Sequence, residues 1–311
     1  MDLKHDIKPY INEHFSCHQI LLATYAINKN RKYDMLFADT WGFGYNIADK
    51  TFASSLHPSP QNRREELLLK YHGIKLNTFD YYGFYDLKKI VESSLPESPL
   101  LLFCDVFNCP WNISFNRNHI AHCIMIVGSM TTISGEKHII IDPYSTSNEN
   151  IIDLCKVASA KNKIQTFSIA PLKQHPLAEY EKEIQMAYKH VRETNFFEHY
   201  KMFLDDFTVR FDEVVSSDYL DVYAIPLVIN LRQIACQRYC FDLFLKKMIE
   251  IKLLDQTTHL LMASIADKYS LLRTLVIRQI LKKKNTGVCI DIIKNIIEME
   301  MTVYDALSLC V

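Results

Sequence analysis

The chain has 311 residues, 49% of them apolar and 23% charged, with a formal net charge of −1. That length suits one large core or two domains of about 100–200 residues each, and so small a charge supplies no field to gather nucleic acid or an anionic membrane. Nine cysteines without paired spacing argue against a disulfide framework, and no uncharged apolar run approaches the roughly 20 residues of a bilayer span.

The opening stretch "MDLKHDIKPYINEHF" has no apolar run behind a basic start, so the expected location is cytoplasmic. In "SCHQILLATYAI" the apolar positions Ile20, Leu21, Tyr25 and Ile27 predict a mostly buried helix with Ser16 as its N-cap. Cys17 then sits in the first turn, where backbone N–H groups and the helix dipole favour a thiolate nucleophile. His14 and His18 flank it, positioned either to tune it electrostatically or to face solvent.

Four of the seven glycines, Gly42, Gly44, Gly73 and Gly83, fall between residues 40 and 85, which predicts sharp turns there. "WGFG", Trp41 to Gly44, reads as a tight turn with aromatic packing, being too short for a phosphate-binding fingerprint. Tyr81, Tyr82 and Phe84 of "FDYYGFY" either cover a cleft or fill a core. The continuous apolar run "PLLLFCDVF", bounded by prolines, predicts a strand covered on both faces. Asp105 and Asn108 at its end either line a substrate cleft or cap a loop.

Two β-branched runs follow, "HCIMIVG" and "KHIIIDP", and the turn signal between them predicts a hairpin. Beyond "HPLAEY" glycine almost vanishes and apolar residues recur at spacings of three and four, which predicts a helical bundle. The expected division is therefore residues 1–170, mixed α+β, and 171–311, helical. Within the bundle Cys236, Cys240 and His259 lack the spacing of a zinc site and read as core. "LKKKN", with Lys282, Lys283 and Lys284, forms a local basic patch whose plain reading is a solvated helix face. The helical end "VYDALSLCV" is compatible with a homodimer and equally with packing inside one chain.

A cysteine nucleophile needs a base, and the base an orienting group. His122 opens one hairpin strand and Asp142 closes the other. If the turn centres near residue 132 or 133, the two lie opposite each other or within one pair, with cross-strand Cβ atoms about 4.5–5.5 Å apart. The even separation keeps them on one face unless a bulge intervenes. Cys17, His122 and Asp142 are thus the candidate nucleophile, base and orienter, with His119 a poorer base because it precedes the strand.

"CHQILLATYAINKN", "LFADTWGFGYNI", "LLLFCDVFNCPWNISFNRNHIAHCIMIVG" and "HIIIDPY" together resemble, over about residues 10 to 170, the N-terminal domain of the butirosin biosynthesis protein H family. The helical remainder is similar to the region that often follows that domain, and the order of parts also resembles bacteriocin-leader-processing peptidases. The resemblance implies a papain-like cysteine fold, in which an N-terminal helix carries the cysteine and an antiparallel sheet the histidine and aspartate. It further implies an acyltransferase of specialised metabolism: an acyl group passes from a carrier-protein thioester through acyl-Cys17 to an amine, giving an amide. No cofactor would be bound directly, since the phosphopantetheine arrives on the acyl or peptidyl carrier, whose docking the resemblance would assign to Lys282, Lys283 and Lys284.

One departure stands out. Such enzymes place a glutamine about six residues before the cysteine to help hold the oxyanion, and this chain has Ile11 there, with Asn12 a weak substitute. The backbone N–H of Cys17 remains as a donor. Two other functions stay open on these residues: a cysteine peptidase or thioester hydrolase with the same three groups, and a non-catalytic binding or scaffold protein in which Cys17 is core.

Overall fold

A computed structural model describes residues 3–46, 51–133, 135–157, 163–217 and 221–310. In chain order the first elements are β1 (Leu3–Lys4), α1 (Cys17–Asn28), β2 (Phe43–Tyr45), β3 (Leu56–Pro58), α2 (Arg64–His72), β4 (Ile74–Asp80) and α3 (Phe84–Ser94). Then come β5 (Leu100–Asp105), β6 (Ala121–Thr132), β7 (Gly135–Ile141), β8 (Glu149–Ile152), α4 (Leu154–Val157) and β9 (Lys163–Ile169). The rest is helical: α5 (Leu177–Glu193), α6 (Phe196–Ser216), α7 (Pro226–Glu250), α8 (Gln256–Leu281) and α9 (Val288–Ser308). The molecule is thus mixed α+β with a helical C-terminal region.

Two compact units divide the chain: Met1–Tyr33 with Glu65–Lys173, and Asp34–Arg64 with Gln174–Val311. The first is built on a seven-stranded sheet in the order β4-β9-β5-β6-β7-β8, with β1 added alongside β6. Every pairing in it is antiparallel. As its apolar sequence predicts, β5 lies inside the sheet between β9 and β6, and Leu100, Leu101 and Leu102 are completely buried. Leu87 and Val91 of α3 pack into a core with Leu100, Leu102, Ile124, Ile126, Ile140 and Ile164. Helix α1 packs along β6, and its Tyr25 stacks on Phe167 of β9 at 3.7 Å between ring centroids.

The hairpin β6–β7 forms where the sequence predicts it, with Thr132 opposite Gly135 at the turn. Between Ile126 and Gly128 the register slips, so one extra residue is accommodated in β6. Gly128 sits against β1: a Cβ there would lie 2.4 Å from the carbonyl oxygen of Leu3, closer than atoms can approach without the backbone moving.

The second unit joins α5 to α9 with the ribbon β2–β3. Residues 34–64 therefore pack with the helices, which departs from a single cut near residue 170. The reason lies in their side chains. Met35, Leu36, Phe37, Trp41, Phe43 and Phe52 are buried, with Trp41 stacked on Phe241, Phe43 edge-on to Tyr200 and Phe52 stacked on Phe203. "WGFG" is a bend entering a strand: Gly42 has φ +128°, a conformation side-chain-bearing residues rarely adopt. Beneath it Glu300, fully buried, accepts from Trp41 Nε1 (2.5 Å), Tyr200 Oη (2.9 Å) and Arg238 Nε (2.6 Å), so the buried carboxylate is both paired and hydrogen-bonded.

Among the described residues no helix is long and apolar enough to cross a membrane.

Candidate active site

The site is assembled within the first unit from α1, the β6–β7 hairpin and the loop after β5. Ser16 is the N-cap of α1: its hydroxyl accepts from the N–H of Gln19, and the Gln19 side chain accepts from the N–H of Ser16 at 2.9 Å. This reciprocal capping box fixes the helix start at Cys17. Cys17 is partly exposed, whereas the apolar residues behind it, Ile20 to Ala26, are buried. That contrast sets it apart from the sealed cysteines Cys104, Cys109, Cys123 and Cys240.

His122 and Asp142 meet, though not through the unbulged register the hairpin arithmetic assumes: Thr132 opposite Gly135 would set them on opposite faces, and the extra residue between Ile126 and Gly128 returns them to one. His122 Nε2 lies 2.9 Å from Asp142 Oδ2, with both side chains almost wholly buried. Carried one step beyond the pairing of Met125 with Ile141, the register sets Asp142 opposite Ile124, so His122 is its diagonal neighbour two residues along on the same face. The Cys17 side chain is near enough to the His122 ring to help hold it charged, and because Nε2 is committed to Asp142, Nδ1 is the nitrogen left for the sulfur.

Burial works against a charged imidazole here. Hydrogen bonds from the ring to Asp142 and Cys17, together with their charges, outweigh it and raise the His122 pKa from 6.5 to about 10. Burial also pushes the Asp142 carboxyl up, and the bond to His122, the His122 charge, Trp111 and Ser145 overcome it, holding the carboxyl below its ordinary value. The two shifts point the same way: the pair is held ionised.

Trp111, which the sequence reading passes over, donates its indole N–H to Asp142 Oδ2 at 2.8 Å. Its neighbour Asn112 donates to Ser145 Oγ at 2.8 Å. One signal for it existed: a tryptophan beside a strand end needs a partner for its N–H once half-buried, but nothing in the sequence says which.

The other candidates take local roles. Asp105 caps the short 3₁₀ turn Val106–Asn108, accepting from the N–H of Phe107 (3.0 Å) and Ile120 (3.1 Å). It also holds His119 Nδ1 at 2.8 Å, whose ring is stacked on Phe107. Of the two readings of Asp105, the loop cap is the one its bonds describe, and His119 is thereby paired with Asp105. Asn108 is half-buried in that turn. Asn12 closes the approach to α1, its Oδ1 accepting from the N–H of His14 (2.9 Å) and its Nδ2 donating to Tyr10 Oη (3.2 Å). Ile11, where a papain-like enzyme has glutamine, is 60% exposed.

His18 turns inward instead of to solvent. Its Nε2 meets Gln165 Oε1 at 3.0 Å and its ring lies against Phe103. Tyr81 is buried in the core and Tyr82 is exposed. In the second unit Lys282, Lys283 and Lys284 are exposed, and Lys283 donates to the Ser217 carbonyl. Cys240 is buried core, His259 bonds Asp242, and no group of three metal-ligating side chains occurs among the described residues.

No protein-family model matches the chain, and no curated protein matches it.

Proposed function

We propose that this protein is a cysteine-dependent acyltransferase with a papain-like arrangement, moving an acyl group from a carrier-protein thioester through Cys17 to an amine. The observation that carries this reading is the buried His122–Asp142 hydrogen bond, with the partly exposed helix-start Cys17 near enough to act on the same ring. A cysteine with only a structural role has no use for such a partner.

In this cycle the Cys17 proton already rests on His122 Nδ1, as a thiolate–imidazolium pair, and the sulfur attacks the thioester carbonyl. The tetrahedral intermediate collapses as His122 returns the proton to the departing pantetheine thiol, leaving acyl-Cys17. The amine then attacks, His122 receives its proton, and the amide leaves as the proton returns to the Cys17 sulfur. Asp142 keeps the Nε2–H tautomer and balances the imidazolium. The Cys17 N–H, at the positive end of α1, is the oxyanion donor, and with no glutamine at position 11 a loss of one such donor, typically about 100-fold or more in rate, falls on efficiency. Lys282, Lys283 and Lys284 are the docking residues for an acidic carrier in this reading.

Incubation with an acyl-loaded carrier protein and an amine should give amide and a mass increase located on Cys17. The Cys17→Ala variant should form neither. Turnover undiminished in that variant would sink the assignment. Acyl-Cys17 that discharges to water with no amine requirement would instead make the protein a hydrolase, and a Cys17 as inert as a buried thiol would make it a binding protein.

A further inference from the structure

We propose that Trp111 is a positioning residue for this site, acting through the Asp142 carboxylate to hold the His122 ring in line with the Cys17 sulfur. The inference rests on the proposed roles of Cys17, His122 and Asp142.

Asp142 is 1% exposed and both donors reach the same oxygen: the Trp111 indole at 2.8 Å and His122 Nε2 at 2.9 Å. Its other oxygen, Oδ1, is buried without a hydrogen-bond partner in bonding geometry. The two hydrogen bonds that set the rotation of the carboxylate about Cβ–Cγ therefore both fall on Oδ2, with the Ser145 side chain as a further group that favours its charge. An indole N–H suits that task because it donates and never accepts, so it cannot compete with Asp142 for the imidazole proton. Without the indole, the carboxylate could turn from His122 toward the Ser145 side chain and take the ring with it.

The indole is itself fixed. Its ring packs against the core of α3, β5 and β6, and the next residue, Asn112, donates to Ser145 Oγ at 2.8 Å. Ser145 and Thr146 in turn donate their N–H groups to the Asp142 carbonyl at 3.0 and 2.9 Å. The loop after β5 and the turn after β7 are thus tied at two points. Buried charged pairs depend on such supporting bonds for their geometry.

The test reads Cys17 chemistry and needs no knowledge of the substrate. Rate constants for iodoacetamide alkylation of Cys17 at pH 7, located by digestion and mass spectrometry, are measured on the full chain, on Trp111→Phe, on Asp142→Ala and on the double variant. Trp111→Phe should slow alkylation about 10-fold, the weight of one hydrogen bond to a charged group. In the Asp142→Ala background the same substitution should change the rate less than about 2-fold, since the path through Asp142 is gone. Equal slowing in both backgrounds, or none in the wild-type background, overturns the inference alone. An Asp142→Ala variant as reactive as wild type overturns the reading of the site and this inference with it. A second measurement avoids the Trp111→Phe protein altogether: of the two indole N–H proton signals, that of Trp111 should shift as His122 titrates and on Asp142→Ala, and a signal indifferent to both overturns the proposal.

Discussion

His122 is a histidine whose burial and whose partners pull in opposite directions, and Asp142 decides the outcome. Burial alone lowers an imidazole pKa, while the bonds to Asp142 and Cys17 raise it to about 10. Because the folded value lies above the ordinary 6.5, the stability this group contributes is complete below about pH 6.5 and is lost as pH rises through about 10. Asp142, held below its ordinary 3.8, contributes above that value and loses its contribution as pH falls through the folded one. Asp142→Asn should therefore drop the His122 titration, followed by its ring C–H proton signals, from near 10 to below about 8. The urea midpoint of the variant should fall below that of wild type at pH 7, and the gap should close above pH 10. A titration unmoved by the substitution would show that Asp142 does not govern the ring. Local rules made part of this legible: Ser16 caps the start of α1 and the hairpin brings residues 122 and 142 to the same end, but that they share a face follows from the extra residue between Ile126 and Gly128, which the sequence does not mark. Trp111 and His18 were not legible, because their partners, Asp142 and Gln165, are brought to them only by tertiary packing.

At the scale of elements, the hairpin that carries both groups has a glycine where another strand presses closely against it. β-branched runs announce β6 and β7, and a continuous apolar run announces β5, since a strand covered on both faces has no polar side to show. The slip between Ile126 and Gly128 leaves no such mark. Beside it lies β1, a two-residue strand whose Lys4 pairs with Gly128. Gly128→Ala would drive a methyl group to within 2.4 Å of the Leu3 oxygen, and the cheapest relief is for β1 to leave the sheet. The expected cost is about 1–3 kcal/mol, the usual range for overpacking, read as a lower urea midpoint at unchanged m-value. Deleting residues 1–4 removes the clash, so in that background Gly128→Ala should be nearly neutral. A full penalty there would place the strain elsewhere in the hairpin. β4 and β9 were harder to see for a related reason: "IKLNTFD" and "KIQTFSI" mix polar and apolar residues without a strong run, and their pairing joins positions about ninety residues apart.

For the whole chain, the division between the units does not follow a single cut, because the chain crosses between them three times, near residues 33, 64 and 173. Composition changes sharply only at the last crossing, which is why a reading by composition sees one boundary. The segment 34–64 looks like loop because its glycines dominate its local character, while its aromatic residues find their partners in helices more than a hundred positions later. The consequence is testable. Residues 174–311 expressed alone would keep α5 to α9 but lose Trp41, Phe43 and Phe52 from among them, together with the Trp41 donor to Glu300. Removing one buried aromatic side chain costs about 3–5 kcal/mol, against a total stability of about 5–15 kcal/mol for a typical domain, so losing three exceeds what the helices can absorb. That fragment should be helical by far-UV circular dichroism yet melt without a cooperative transition and bind a hydrophobic dye. Joining residues 34–64 to its N-terminus through a flexible linker should restore a sharp transition. A cooperative melt in the fragment without them would mean that the helices close their core unaided, and that the ribbon β2–β3 only decorates it.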